Sequence, residues 1–161
     1  MSEITIFLAM AAIVGSGLLS GLFFVFSNFA MRAFQEIEPA AGIRAMQQIN
    51  ITIINPLFMI VFMGAPLVST YLVILAWSGA LGVSGFWFIL GGQIHIIGSF
   101  IVTVIFNVPL NNQLAVVDPD SQTGREMWKE YHAKWVPWNH VRTLSSVLSL
   151  IFFAVGLTVL L

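Results

Sequence analysis

AMQQINITIINPLFMIVFMGAPLVSTYLVILAWSGALGVSGFWFILGGQIHIIGSFIVTVIFNVPLNNQLAVV, running from Ala45 to Val117, contains no lysine, arginine, aspartate or glutamate. As one helix it would reach ~110 Å, several times the ~30 Å of a bilayer core, so it must fold back on itself. The natural break is Ser78 to Gly85, Ser-Gly-Ala-Leu-Gly-Val-Ser-Gly, rich in glycine and flanked by Trp77 and Trp87 as interfacial anchors. Two membrane spans result, at about 51–77 and 86–110.

Working outward, residues 4–31 form a first uncharged span, and 143–161 form a fourth. Arg32 to Arg44 make a short polar connection, and 112–138 make a longer one. The expected fold is therefore all-α: an integral membrane four-helix bundle in one transmembrane domain over residues 1–161. All six basic residues (Arg32, Arg44, Arg125, Lys129, Lys134, Arg142) fall in or beside the first and third connections, and the 78–85 turn has none. The positive-inside rule then makes connections 32–44 and 112–142 cytoplasmic and places both termini outside, in a plasma or inner membrane. The N-terminus lacks the basic segment of a cleavable signal, so the first span reads as retained.

Composition narrows the function classes. The chain has 161 residues, 58% hydrophobic and only 8% charged, where soluble domains carry roughly 25%. A net charge of −1 offers no surface for nucleic acid. With no cysteine there are no disulfides, thiolate metal sites or cysteine nucleophiles.

Before the fourth span, Thr123 and Glu126 fit a capping box, and Trp128, His132 and Trp135 follow at i, i+4 and i+7. That pattern predicts an amphipathic interfacial helix ended by Pro137, serving as an anchor or as a lid.

The exceptions inside the apolar stretch carry the functional information. Polar groups at membrane depth cost free energy unless they face the bundle interior. His95, Ser99, Thr103, Asn107 and Asn111 recur every four residues, a slowly drifting stripe on a helix. Gln48, Thr52 and Asn55 share one face, Gln47 and Asn50 another, and Pro56 and Pro66 free the carbonyls of Thr52 and Phe62. Ser16, Ser20 and Ser27 line the first span, where Gly17 and Gly21 suit close helix contact and allow a homo-oligomer. The fourth span opens with Asn139, His140, Arg142 and Ser146. Most of these groups lie near the basic ends of their spans, with Asn55 and His95 deeper. The expectation is a pocket opening toward the basic side and narrowing to Asn55 and His95.

Three strings now combine: Met46-Gln47-Gln48-Ile49-Asn50 leading to Asn55-Pro56; Asn107-Val108-Pro109-Leu110-Asn111; and Trp135 through Trp138-Asn139-His140-Val141-Arg142-Thr143. In this order, at the span boundaries of a four-span chain, they resemble the small membrane family that includes the fungal anthrone oxygenases. The resemblance covers nearly the whole chain. It implies oxidation of a polycyclic phenolic anthrone to an anthraquinone, with O₂ as co-substrate and no metal or organic cofactor.

Such chemistry needs a base, donors for an enolate oxygen, and a dry flat slot. His95 or His140 is the candidate base. Arg142 with Asn50, Asn107 and Gln47 would hold the oxyanion. Gln48, Asn55, Asn111, Trp135, Trp138 and Asn139 are further candidates for substrate contact, with Phe23, Phe24 and Phe58 forming the slot. The substrate class is a small lipophilic phenol or quinol. Two alternatives stand beside this one. His95 and His140 would ligate a metal or haem, or the protein would be a non-enzymatic carrier, transporter or accessory subunit for a small apolar or aromatic ligand in the lipid bilayer.

Overall fold

The computed structural model describes residues 3–161 and contains, among them, five helices and no strand. Helix α1 is Glu3–Glu36, α2 Pro39–Thr52, α3 Pro56–Trp77, α4 Gly82–Ala115 and α5 Gln122–Leu160. All but α2 are long and apolar enough to cross a membrane, so the chain is an integral membrane protein. The expected all-α bundle is what forms.

Several boundaries differ from the sequence reading, each for a local reason. The second apolar segment does not run unbroken from 51. It splits at Ile53–Asn55 into α2 and α3, because Asn55 is a helix cap: its Oδ1 accepts from the backbone N–H of Phe58 at 3.1 Å. Pro56 then sits at the first helical position, where its missing N–H costs nothing, so it starts a helix rather than kinking one. Asn55 Nδ2 donates to the carbonyls of Thr52 (3.1 Å) and Ile53 (3.3 Å).

Nor does Pro137 end an interfacial helix. Helix α5 runs through it for 39 residues, ~58 Å, and joins the amphipathic segment to the fourth span as one rod. Pro137 is exposed, and so is Ala133, whose carbonyl the proline cannot satisfy. The cap of α5 is Ser121, whose Oγ accepts from Gly124 N–H at 2.9 Å, and not the anticipated Thr123–Glu126 box. Gly124 is required there: a Cβ would meet the Asp118 carbonyl oxygen at 2.3 Å.

The turn between α3 and α4 falls where the glycines put it, with Gly79 and Gly82 at φ +80° and +53°. Helices α1, α3, α4 and α5 alternate in direction. Their apolar centres are Ala9, Ala12, Leu72, Phe88 and Phe153 at the end bearing the chain termini, and Met31, Ile43, Met46, Leu114 and Trp128 at the basic end.

Two helices depart from α geometry where polar residues cluster: α1 at Phe26–Ala30, and α4 at His95–Ile101 and Thr103–Asn107, all in π-type turns. A π-turn takes more residues per revolution than an α-turn. Mixing the two brings the period near four and cancels the drift of an i+4 stripe. His95, Ser99, Thr103 and Asn107 are accordingly all buried.

Close helix approach is tightest on α4, while of the Gly17/Gly21 pair only Gly17 is near a neighbour, a Cβ there lying 3.0 Å from Leu150 Cδ1. A Cβ on Gly21 would meet nothing within 4 Å, whereas one on Gly98 would lie 2.1 Å from Ser145 Oγ and 2.6 Å from its Cβ. Gly98→Ala is therefore expected to lower stability by ~1–3 kcal/mol, as overpacking does. Gly21→Ala is neutral or slightly stabilising. Thermal unfolding of the two variants in detergent checks this, and the reverse order would contradict the packing described.

Candidate active site

A cavity of about 700 Å³ lies among all five helices in the basic half of the bundle. That is within the ~300–1,000 Å³ typical of small-molecule sites. Its apolar wall comes from Leu22, Phe23 and Phe26 of α1, Met46 and Ile49 of α2, Phe58, Met59 and Phe62 of α3, and Val108 of α4. Its polar wall is short: Gln47 and Asn50 of α2, Thr103, Asn111 and Asn112 of α4, and Arg142 of α5, with Trp135 beside them.

Arg142 is the unusual member. It is only 5% exposed, yet no carboxylate among the described residues forms an ion pair with it. One terminal nitrogen donates to Asn139 Oδ1 at 2.6 Å and the other to Thr103 Oγ1 at 3.4 Å, while Nε finds no partner among the described residues. The guanidinium carbon lies 4.3 Å from the Phe23 ring centre and 4.9 Å from that of Trp135. Such cation–π contacts contribute ~0.5–2 kcal/mol each and orient the group, but they do not neutralise it. A buried charge without a counter-ion is costly. The positive charge therefore faces the cavity uncompensated.

Its position is set by Asn139, which is fully buried. Asn139 Nδ2 donates to the Phe23 carbonyl at 2.8 Å and to Ser27 Oγ at 2.7 Å, which leaves Oδ1 for the arginine. The Phe23 carbonyl lies just before the stretch where α1 changes to π bonding.

Asn111 is fixed in the same way. The atom that accepts from Trp135 Nε1 (2.8 Å) must be its oxygen, because an indole only donates. Tyr131 OH donates to the same oxygen at 2.8 Å. The Asn111 Nδ2 group is left as a donor in the cavity wall. Gln47 Nε2 closes the end of α4 by donating to the Leu114 (2.9 Å) and Val117 (3.1 Å) carbonyls.

The other candidate residues lie elsewhere. His140 is exposed. His95 is 0% exposed but outside the cavity, with Nδ1 3.2 Å from Ser16 Oγ, which also bonds Ser149 Oγ at 3.3 Å. Ser149 lies nine residues beyond His140, ~14 Å along α5, so the two histidines do not share a site. Among the described residues, no group of three or more His, Asp or Glu could hold a metal, and the two imidazoles offer no joint ligation.

Gln48 is exposed and donates to Thr52 Oγ1 at 3.0 Å, while Asn55 is exposed at the α3 cap. Trp138 stacks on Phe106 (3.7 Å between ring centres). Asn107 is buried behind the wall and donates to the Trp135 carbonyl at 3.2 Å. Phe24 is 54% exposed and takes no part in the slot.

The sequence reading missed Thr103 as a cavity residue, Tyr131 as a support, and the Phe26, Met59 and Phe62 walls. The stripe containing Thr103 was visible. The aromatic wall was not, since phenylalanines in a membrane helix carry no mark of which side they face.

The uncompensated cation, an apolar slot and a row of amides would suit a flat molecule bearing one anionic oxygen. No curated protein and no solved structure matches the chain. A family model described as anthrone oxygenase matches residues 58–152, over half of the sequence, and takes in most of α3, all of α4 and the part of α5 that carries Trp135, Asn139 and Arg142. The chain belongs to the anthrone oxygenase family.

Proposed function

We propose that the protein oxidises a flat, lipophilic phenol of the anthrone type with O₂ inside the 700 Å³ cavity, Arg142 holding the oxygen on which negative charge develops. The observation that carries this reading is the buried guanidinium, without a counter-anion among the described residues, in the wall of a largely apolar cavity.

An anthrone has a CH₂ group acidified by its flanking rings and carbonyl. Loss of one proton gives an enolate, whose oxygen would bind Arg142 with Asn50 and Asn111 as further donors. The enolate passes one electron to O₂, and the carbon radical and superoxide combine to form a C–O bond. Loss of the second hydrogen with cleavage of the O–O bond leaves a carbonyl. The sum is CH₂ + O₂ → C=O + H₂O. Arg142 supplies the decisive term, because a preorganised cation in a water-poor site favours the charged enolate over its neutral parent. The first proton leaves to water at the basic end, and neither histidine is required. That end faces the cytoplasm by the distribution of lysine and arginine.

Two outcomes follow. Arg142→Gln should cut O₂ uptake with a hydroxyanthrone by about 100-fold or more, as loss of an oxyanion donor does. Arg142→Met should be equally inactive yet at least as thermostable as the native chain, because removing an uncompensated buried charge relieves a cost. Substantial turnover by either variant in an oxygen electrode would contradict the assignment. The double variant His95→Gln, His140→Gln should keep its rate within about threefold of the native protein, since neither imidazole lines the cavity. Its inactivation, with folding intact, would return the proton transfer to an imidazole.

A further inference from the structure

Resting on the reading above, we propose that the cavity is filled sideways from the bilayer, through a gap between the α2–α3 junction and α4. The substrate would then arrive as a membrane solute rather than from water.

The rim of the cavity is the first reason. Ile51 and Ile54 line it and are nonetheless 68% and 69% exposed, and Val108 across from them on α4 is 39% exposed. A mouth rimmed by hydrocarbon is suited to acyl chains and not to water.

Depth is the second. Helix α3 begins at Pro56 and has 22 residues, ~33 Å, enough to cross a hydrocarbon core once. The rim residue Ile54 just precedes it and so lies at the basic-side edge of that core. Farther along α4 the exposed side chains Val104 and Ile105 are apolar as well.

The third reason is that the aqueous side is narrowed to a corner at Asn112 and Ala115, which line the cavity and are exposed. Beneath the cavity, Gln47 ties α2 to the last turn of α4 through the Leu114 and Val117 carbonyls, and a buried apolar cluster around Ile43, Leu114 and Trp128 lies below it.

The helix break supplies the moving part. At Ile53–Asn55 the α-helical ladder is interrupted, and Asn55 Nδ2 holds the final α2 carbonyls in its place. Side-chain bonds of this kind can open and re-form without unwinding either helix. A flat molecule entering here meets Arg142 with its polar edge first and leaves its apolar edge at the mouth.

The native chain has no cysteine, so single cysteines introduced by substitution can be labelled uniquely. The experiment uses Ile51→Cys, Ile54→Cys and, at the aqueous corner, Ala115→Cys, each with and without a bulky aromatic maleimide, in phosphatidylcholine vesicles. The probe is a dihydroxyanthraquinone, a product-like ligand that is not turned over, followed by quenching of tryptophan fluorescence in stopped flow.

A label at 51 or 54 should slow association and dissociation together by about tenfold, leaving their ratio nearly unchanged, because an obstructed passage alters rates and not the bound state. A label at 115 should alter neither rate. Slowing by the label at 115 alone, or no slowing at 51 and 54, overturns the lateral passage while leaving the site intact. Absence of probe binding to the native protein overturns the proposed function itself, and the passage with it.

Discussion

Arg142 carries a positive charge into the interior of a bundle whose described residues offer it no carboxylate, and much of the surrounding geometry follows from accommodating it. Asn139 accepts one of its N–H groups, and Asn139 is held in turn by the Phe23 carbonyl and Ser27. That carbonyl lies just before the π-turn of α1 at Phe26–Ala30. Phe23 and Trp135 offer ring faces to the guanidinium, while Trp135 is pinned through its indole N–H to Asn111. These contacts hold the cation in place without cancelling its charge, which is what a site for a developing anion requires.

Five further buried polar groups form a separate layer farther from the basic end. Ser99 and Ser146 bond each other at 3.0 Å, and His95, Ser16 and Ser149 form a cluster that ends on the Gly91 carbonyl. Satisfied hydroxyls between closely packed helices are what a membrane bundle uses to fix register. This layer joins α1, α4 and α5 above the cavity, and the glycines at 91 and 98 let the backbones approach closely enough for the bonds to form. The rigid half of the bundle thus positions the half that holds the cavity.

The parts of the fold written in composition were legible from the sequence: the uncharged runs gave the four crossings, and the glycines at 79 and 82 gave the turn. The i+4 polar stripe correctly marked an interior face of α4, although its straightness depends on π-turns that no spacing rule announces. Legibility failed where one residue type has two physical uses. Asn55-Pro56 reads equally as a kinked helix or as a cap with a first-turn proline, and only the path of the chain decides. Pro137 has the form of a helix stop but is carried within α5. Among the site candidates, Gln47, Asn50, Asn111, Trp135 and Arg142 reach the cavity wall because they lie on helix faces turned to one another. His140 lies two residues before Arg142, and a helix turns such neighbours well apart, so one is exposed and the other buried. His95, marked by the same stripe and by its depth, is buried in the layer that joins α1, α4 and α5 and not in the cavity wall.

The most direct test of the uncompensated cation is the ionisation state of a molecule bound beside it. Hydroxyanthraquinones change colour when they lose a phenolic proton, so an absorption spectrum of the complex in vesicles reports that state without turnover. At a pH where the free ligand is neutral, the bound ligand should show the spectrum of its anion. A neutral spectrum for the fully bound ligand would mean that Arg142 does not govern the site.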